Sequence, residues 1–290
     1  MLFRPRRPPP RRAVVTGASS GIGRAFAREL APDADLLLTG RDAPALEELA
    51  AELRAAAAAA GEGREREVRV VTADLAVPAE RAELIAAAAT FAPDLLVNNA
   101  GLGTWGEFLE DPPGRVEASV LVDVLAPVVL ARALLPGMIE RAAAAADGGR
   151  AGLINLSSTL AFTPVPQGSV YGASKAFLLA FTEALAAELG GRPVDVLAVC
   201  PGPVRTDFYR RAGFPGGPPP FAYAPGQVAR RALADLGRHT VSFGDLPSAL
   251  LLRPVTGTRM GLGRTFALGT RALRAWRGRA APEPEAPRGA

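Results

Sequence analysis

Short apolar runs recur along this 290-residue chain, and each is followed by a longer stretch of helical composition. That alternation is the sequence form of repeated βαβ units around a parallel sheet. The strand readings are AVVTG from Ala13, DLLLTG from Asp35, VRVVTAD from Val68, DLLVNNAG from Asp94, GLINLSS from Gly152, VDVLAVCPG from Val194 and a weaker TVSFG from Thr240. Helical runs cover 21–31, 43–60, 78–91, 115–143, 172–189 and 225–237. Strands this apolar, with little alternation, predict burial on both faces. The fold class is therefore α/β: one domain over 13–245, a doubly wound parallel sheet of about seven strands with helices on both faces. Residues 1–12 and 278–290, rich in Pro, Arg or Glu, read as disordered tails, the first of them basic. Residues 246–277 form an apolar and basic extension. The stretch FYRRAGFPGGPPPFAYA at 208–224 breaks the rhythm, and a connection of that length inside a compact domain predicts a lid, over about 207–224.

Composition excludes several functions. The net charge is +4, yet much of the basic excess sits in the two ends, and no RNA-binding aromatic signature, zinc-finger spacing or basic heptad helix appears, so no nucleic-acid partner is expected. Cys200 and His239 are each single, which removes an internal disulfide and multi-cysteine metal sites. No metal site is expected. No G-x-S-x-G elbow accompanies His239, which reads as a surface or helix-end residue. Residues 4–12 are Pro and Arg where a signal peptide would be apolar. The most apolar stretch, VLVDVLAPVVLARALLP, is interrupted by Asp123, Pro127 and Arg132. The expectation is a cytoplasmic protein.

Directly after the first strand stands TGASSGIG, Thr16 to Gly23, followed by a helical run. Glycines at 17, 21 and 23 let the backbone turn sharply and approach a pyrophosphate, whose charge meets the free N–H groups of the next helix. The spacing G-x-x-x-G-x-G, with TADL at 72–75, NNAG at 98–101, NLSS at 155–158, YGASK at 171–175 and PGPVRT at 201–206, resembles the classical short-chain dehydrogenase/reductase family over roughly residues 13–245. The segment FLEDPP most resembles the bacterial generalist oxidoreductase branch. The resemblance implies a Rossmann-type fold, NAD(P)(H), homo-oligomers, and a cofactor site made of Gly17, Ser19, Ser20, Gly21, Ile22, Gly23, Arg41, Asp74, Leu75, Asn99, Ala100, Gly101, Tyr171, Lys175, Pro201, Gly202, Val204 and Thr206. Within it Asp74 and Leu75 would flank the adenine, Asn99 and Gly101 the adenosine ribose, and Val204 and Thr206 the carboxamide. Where an NAD enzyme of the family carries Asp, this chain has Gly40 followed by Arg41; Arg41 and Ser19 therefore favour NADP(H), with Asp42 as a neighbour of opposite tendency.

The 33 basic side chains comprise 32 Arg and a single Lys, Lys175, four residues after Tyr171. On a helix the two share a face. A neighbouring ammonium lowers a phenol's pKa by favouring phenolate, and a compact point charge cannot simply be replaced by a planar guanidinium. The family resemblance assigns Ser158, Tyr171 and Lys175 as catalytic, with Ser158 donating to a developing oxyanion and Tyr171 delivering the proton; Ser157 reads as structural. Asp123, in VDVLAP, stands where the family commonly has an Asn that steers a water relay. If the backbone holds that water, Asp123 is harmless; if the side chain does, a carboxylate there would partly offset Lys175 and raise the Tyr171 pKa, giving an alkaline-shifted optimum.

Phe208, Tyr209, Phe214, Phe221 and Tyr223 in the lid make a hydrophobic ketone or aldehyde the expected substrate, reduced to its alcohol or formed from it. Arg210 and Arg211 read as a solvated face, with binding of an acidic substrate tail as the alternative. Two other readings stay open: a catalytically silent dinucleotide-binding regulator, and a reductase whose extension at 246–290 makes weak contact with a membrane surface.

Overall fold

The structure, a computed structural model, describes residues 9–30, 33–60, 66–214, 216–245, 247–250, 252–259 and 261. Seven strands form one parallel sheet: β1 (Arg12–Thr16), β2 (Asp35–Gly40), β3 (Val68–Thr72), β4 (Leu95–Asn98), β5 (Ala151–Leu156), β6 (Val194–Val199) and β7 (Val241–Ser242). Their order is β3-β2-β1-β4-β5-β6-β7. The chain runs outward from β1 to β3 and then returns to lay β4 on the other side of β1, so a crevice opens at the carboxyl ends of β1 and β4.

Both faces of the sheet are buried, as the unbroken apolar strands require, except at the edge strand β3, where Arg69 and Thr72 are exposed. Val15, Leu36 and Leu38 point to one side, where they pack with Phe26 of α1 (Gly21–Glu29), Leu46 and Leu49 of α2 (Ala43–Ala60) and Val228 of α8 (Pro225–Asp235). Val14, Leu37 and Leu96 point to the other, against Leu84 of α3 (Pro78–Phe91), Leu130 and Met138 of α5 (Ala126–Ala144) and Leu185 of α6 (Ser169–Glu188). The period-two side-chain alternation of each strand feeds the two cores by turns.

The helical run expected over 115–143 is more articulated than its composition implied. It comprises α4 (Pro113–Val120), a π-helical turn Leu121–Leu125, and α5. Pro127 has no N–H to offer the Asp123 carbonyl, so the ladder is broken there; the Ala126 N–H bonds instead to the Leu121 carbonyl, five residues back. The extra residue in that turn re-aims the side chains before it. Pro113–Ala144 has the length and composition of a membrane span, and half of its most apolar window is buried inside the protein; packing against the sheet accounts for that share of its hydropathy.

Several boundaries differ from the sequence reading. The basic tail ends earlier: Arg12 belongs to β1, and the backbone N–H groups of Arg11 and Arg12 donate to the Asp94 carboxylate at 2.8 and 3.4 Å. Residues 1–8, most of 246–277 from 262 on, and 278–290 lie outside the described residues. Helix α6 starts at Ser169, so Tyr171 sits in its first turn. The lid contains a short helix, α7 (Phe208–Ala212), closed by Gly213 at φ +83°. In the extension, residues 247–250 and 252–259 are helical, Ala249 and Thr256 are buried, and Arg259 pairs with Glu183 of α6 at 2.8 Å. His239 is exposed just past α8, as read.

Leu130 is fully buried between α5 and the sheet. Leu130→Ala is expected to destabilise the fold by about 2–5 kcal/mol, measured as a lower urea midpoint with an unchanged slope.

Candidate active site

The glycine turn is fixed by two side chains that bridge β1 and β4. Thr16 Oγ1 donates to the Val97 carbonyl at 3.3 Å and accepts from the N–H groups of Asn99 and Ala100 at 2.9 and 3.0 Å. Asn99 Nδ2 returns the contact, donating to the carbonyls of Thr16 and Gly17 at 2.8 and 3.3 Å. Gly17 holds φ +65°, and a Cβ there would stand 2.9 Å from the Ala100 Cα; one at Gly23 would be 2.3 Å from the Gly17 carbonyl oxygen. Neither position has room for a side chain. Ser20 occupies the N-cap of α1 without bonding the helix through its hydroxyl. The first N–H groups of α1 have no intrahelical acceptors and face the crevice with the positive end of the helix dipole. This cradle fits a dinucleotide's pyrophosphate.

At the end of β2, Ser19 Oγ lies 3.3 Å from where a Cβ on Gly40 would be. Asp42 turns away: its Oδ1 accepts from the Ala45 N–H at 3.1 Å and caps α2. Arg41 stays largely exposed, with Nη1 3.7 Å from Asp74 Oδ2. The other Asp74 oxygen holds the Ala76 N–H at 2.9 Å, and Leu75 beside it is buried.

The opposite wall comes from β5 and α6. Ser158 follows β5 and its Oγ accepts from the Leu160 N–H at 3.1 Å. Ser157, as expected, is structural, donating to the Lys175 carbonyl at 2.7 Å. Lys175 is 4% exposed. Its ammonium lies 5.5 Å from the centre of the Tyr171 ring, donates to the Leu156 carbonyl at 3.2 Å and stands 3.5 Å from Asp123 Oδ2. Asp123 is 1% exposed, carried by the π-helical turn, and its Oδ1 accepts from the Leu102 N–H at 2.7 Å. Burial raises the Asp123 pKa, opposed first by the Lys175 charge and then by the Leu102 N–H. The Tyr171 phenol is pushed well above its ordinary value, chiefly by desolvation and then by the Asp123 charge, against a hydrogen bond with Ser158. A Cβ on Gly101 would come 3.1 Å from Lys175 Nζ and 3.3 Å from Asp123 Oδ1, so the backbone passes directly over this pair.

The lid covers the site. The Phe208 ring lies 5.2 Å from that of Tyr171, Trp105 stacks on Phe214 at 3.8 Å, and Val204 pairs with Tyr223. Arg115 Nη2 donates to the carbonyls of Gly103, Arg211 and Ala212 at 3.3, 3.2 and 3.0 Å. Arg211 is exposed, as read for a solvated face, and its Nη2 also donates to Ser20 Oγ at 2.9 Å.

One cleft is lined by Gly17, Ser19, Ser20, Gly21, Ile22, Arg41, Asp74, Leu75, Asn99, Ala100, Gly101, Ser158, Tyr171, Lys175, Pro201, Gly202, Val204 and Thr206. Two of the expected residues do not line it: Gly23 packs behind the turn, and Asp123 stands behind Lys175. Sequence reasoning missed Arg115, Trp105 and Gly103, whose roles depend on long-range contacts with the lid. It also passed over Asn98, Asn155 and Thr182, a buried chain of hydrogen bonds at 3.0 and 2.9 Å that ties β4 through β5 to α6. Among the described residues no cluster of His, Cys, Asp or Glu could hold a metal.

A glycine-cradled crevice at the point where a parallel sheet reverses its order, walled by a phenol over a buried ammonium, belongs to a class: the nucleotide-dependent dehydrogenases and reductases of α/β fold. Within that class the chain belongs to the short chain dehydrogenase family, which matches residues 11–213. It is 37% identical over 202 residues to "Dehydrogenase/reductase SDR family member 7B" of Mus musculus, across 67% of this chain and 58% of that protein. This chain thus spans little more than half the length of that relative. Among solved structures, the short-chain dehydrogenase from Sphingobium yanoikuyae in complex with NADPH is similar at TM-score 0.75 and 30% identity, covering 87% of this chain and 94% of that one. The bulky-bulky ketone specific alcohol dehydrogenase from Comamonas testosteroni is similar at TM-score 0.70 and 27% identity, covering 89% and 94%.

Because the Asp123 charge disfavours phenolate, Asp123→Asn is expected to lower the Tyr171 pKa. Ultraviolet titration of phenolate formation, with Tyr171→Phe as the blank, measures it; an unchanged or raised pKa in the variant contradicts the electrostatics described.

Proposed function

We propose that this chain is an NADP(H)-dependent oxidoreductase that interconverts a hydrophobic ketone or aldehyde and its alcohol. The observation that carries the reading is Lys175: the single lysine of the chain, buried beneath the Tyr171 ring at the wall of a dinucleotide cradle. A charge removed from water at this cost is retained where it acts on a neighbour.

The bound cofactor supplies or accepts the hydride. In the reductive direction Ser158 donates a hydrogen bond to the substrate oxygen as negative charge develops there, and Tyr171 passes its proton to that oxygen. Lys175 favours the phenolate that results, and Asp123 partly offsets it. In the oxidative direction Tyr171 takes the proton back, which makes the high phenol pKa the reason for an alkaline optimum. Phe208 and the Trp105–Phe214 stack exclude water from the reacting end.

Three observations support NADP(H). Gly40 leaves no carboxylate at the end of β2, Ser19 fills the space beside it, and Asp42 is committed to capping α2, so Arg41 is the charge left to meet a 2′-phosphate. The similar Sphingobium enzyme holds NADPH. The aromatic lid supports a bulky apolar carbonyl compound, the substrate class in the description of the Comamonas enzyme. Val120, Leu125 and Phe177 are apolar and exposed on the adjoining α4, π-helical turn and α6, which supports a homo-oligomer through that face. The buried thiol of Cys200 suits a reducing cytoplasm.

NADPH consumption against a panel of bulky ketones and aldehydes tests the reading. Turnover that falls by about 10²–10⁴ in Tyr171→Phe is expected; a wild-type protein that binds the cofactor and turns over no carbonyl compound would favour the silent regulator. Arg41→Ala is expected to raise the NADPH Kd about tenfold and leave that for NADH within twofold, as for one charge-assisted phosphate contact, read by calorimetric titration.

A further inference from the structure

We propose that Arg211, on the lid helix α7, is a ligand of the cofactor's pyrophosphate, and that its bond to Ser20 is the contact it exchanges when the dinucleotide enters. The assignment rests on the oxidoreductase reading for the identity of the ligand and on the following geometry for everything else.

Ser20 and Arg211 are 191 residues apart in sequence and joined at 2.9 Å. Ser20 is the N-cap of α1, the position at which a serine ordinarily bonds its own helix; here its hydroxyl makes no such bond and faces the lid. The guanidinium is thereby held at the N-cap of α1, next to the part of the cradle shaped for a pyrophosphate. The root of the lid is seated on the same turn, since a Cβ on Gly21 would meet the Thr206 methyl at 3.1 Å.

The other arginines along the cleft are already engaged. Arg24 pairs with Glu48 at 2.9 Å, Arg28 with Glu52 at 2.7 Å and Arg210 with Asp207 at 3.7 Å, while Arg41, at the end of β2 with a long 3.7 Å contact to Asp74, is the charge assigned above to the 2′-phosphate. Arg115 and Arg205 are spent on backbone carbonyls. Among the described residues Arg211 has no carboxylate partner, and its side chain is held by one neutral hydroxyl. A guanidinium bonds an ionised phosphate roughly twice as strongly as a neutral acceptor and can do so with two parallel N–H groups. A pyrophosphate bound at α1 therefore outcompetes Ser20 for Arg211. Arg115 fixes the Arg211 and Ala212 carbonyls to the loop after β4, so the new contact holds α7, and with it Phe208 above Tyr171, against the bound cofactor. Arg211 is in this sense a binding residue that couples lid position to cofactor, distinct from Arg41.

Calorimetric titration of the full chain separates the two arginines. Arg211→Ala is expected to raise the Kd values for NADPH and NADH by the same factor, about tenfold, and to leave that for adenosine 2′-phosphate, which lacks the pyrophosphate, unchanged. Arg211→Lys should recover part of the loss, and matching thermal midpoints show that the variants are folded. Unchanged dinucleotide affinity, a loss confined to NADPH, or an equal loss for adenosine 2′-phosphate overturns the assignment. Wild-type protein that binds neither dinucleotide overturns the oxidoreductase reading, and this assignment with it.

Discussion

The reversal of strand order between β1 and β4 is the constraint from which the rest of this molecule follows. Parallel strands 1 and 4 are neighbours in the sheet, yet their following segments leave in opposite directions, and the gap between them would carry unpaired backbone groups. Thr16 and Asn99 close it with hydrogen bonds in both directions. That clip forces Gly17 against Ala100 and Gly23 against Gly17, at separations that exclude any side chain. A polar crevice lined by free helix N–H groups is the result, and the Ser158, Tyr171 and Lys175 wall and the lid are arranged around it.

The second organising interaction is the buried pair Lys175 and Asp123. Bringing two charges out of water costs several kcal/mol apiece before their attraction and hydrogen bonds are counted. Lys175 recovers part through the Leu156 carbonyl, and Asp123 through the Leu102 N–H. The pair does more than balance itself. It forms part of the electrostatic environment of Tyr171, whose phenol is raised first by desolvation and then by the Asp123 charge. The geometry exists because Pro127 breaks the helical ladder and the chain answers with a π-helical turn that carries Asp123.

Most of the fold was legible in the sequence. Unbroken apolar runs such as DLLL and GLIN allow no solvated face, and each is followed by a helix-forming stretch, so the parallel sheet and its seven strands could be read directly. The cradle and the Tyr171–Lys175 pair were legible for a different reason, since their spacings are local, set by one turn and one helix; Ser158, which follows β5, was implied by the family resemblance. What could not be read was anything that depends on long-range approach. The break at Pro127 looked like an interruption of an apolar run. Arg211 is exposed, as a solvated pair implies, but its bond to Ser20, 191 residues away, could not be read. The chain of Asn98, Asn155 and Thr182 left no trace in composition, because hydrogen bonds between strands have no sequence period.

The sequence by itself therefore determined the sheet, the glycine cradle and the one-turn spacing of Tyr171 and Lys175, since strand burial, backbone φ and helical spacing are properties of a few consecutive residues. Only the tertiary structure decided that Asp123 faces Lys175, that Arg41 lies beside Asp74, and that the lid reaches back to Ser20. Each of those joins segments more than a turn apart, and their separation is set by how the helices pack on the sheet rather than by anything written in the segments themselves.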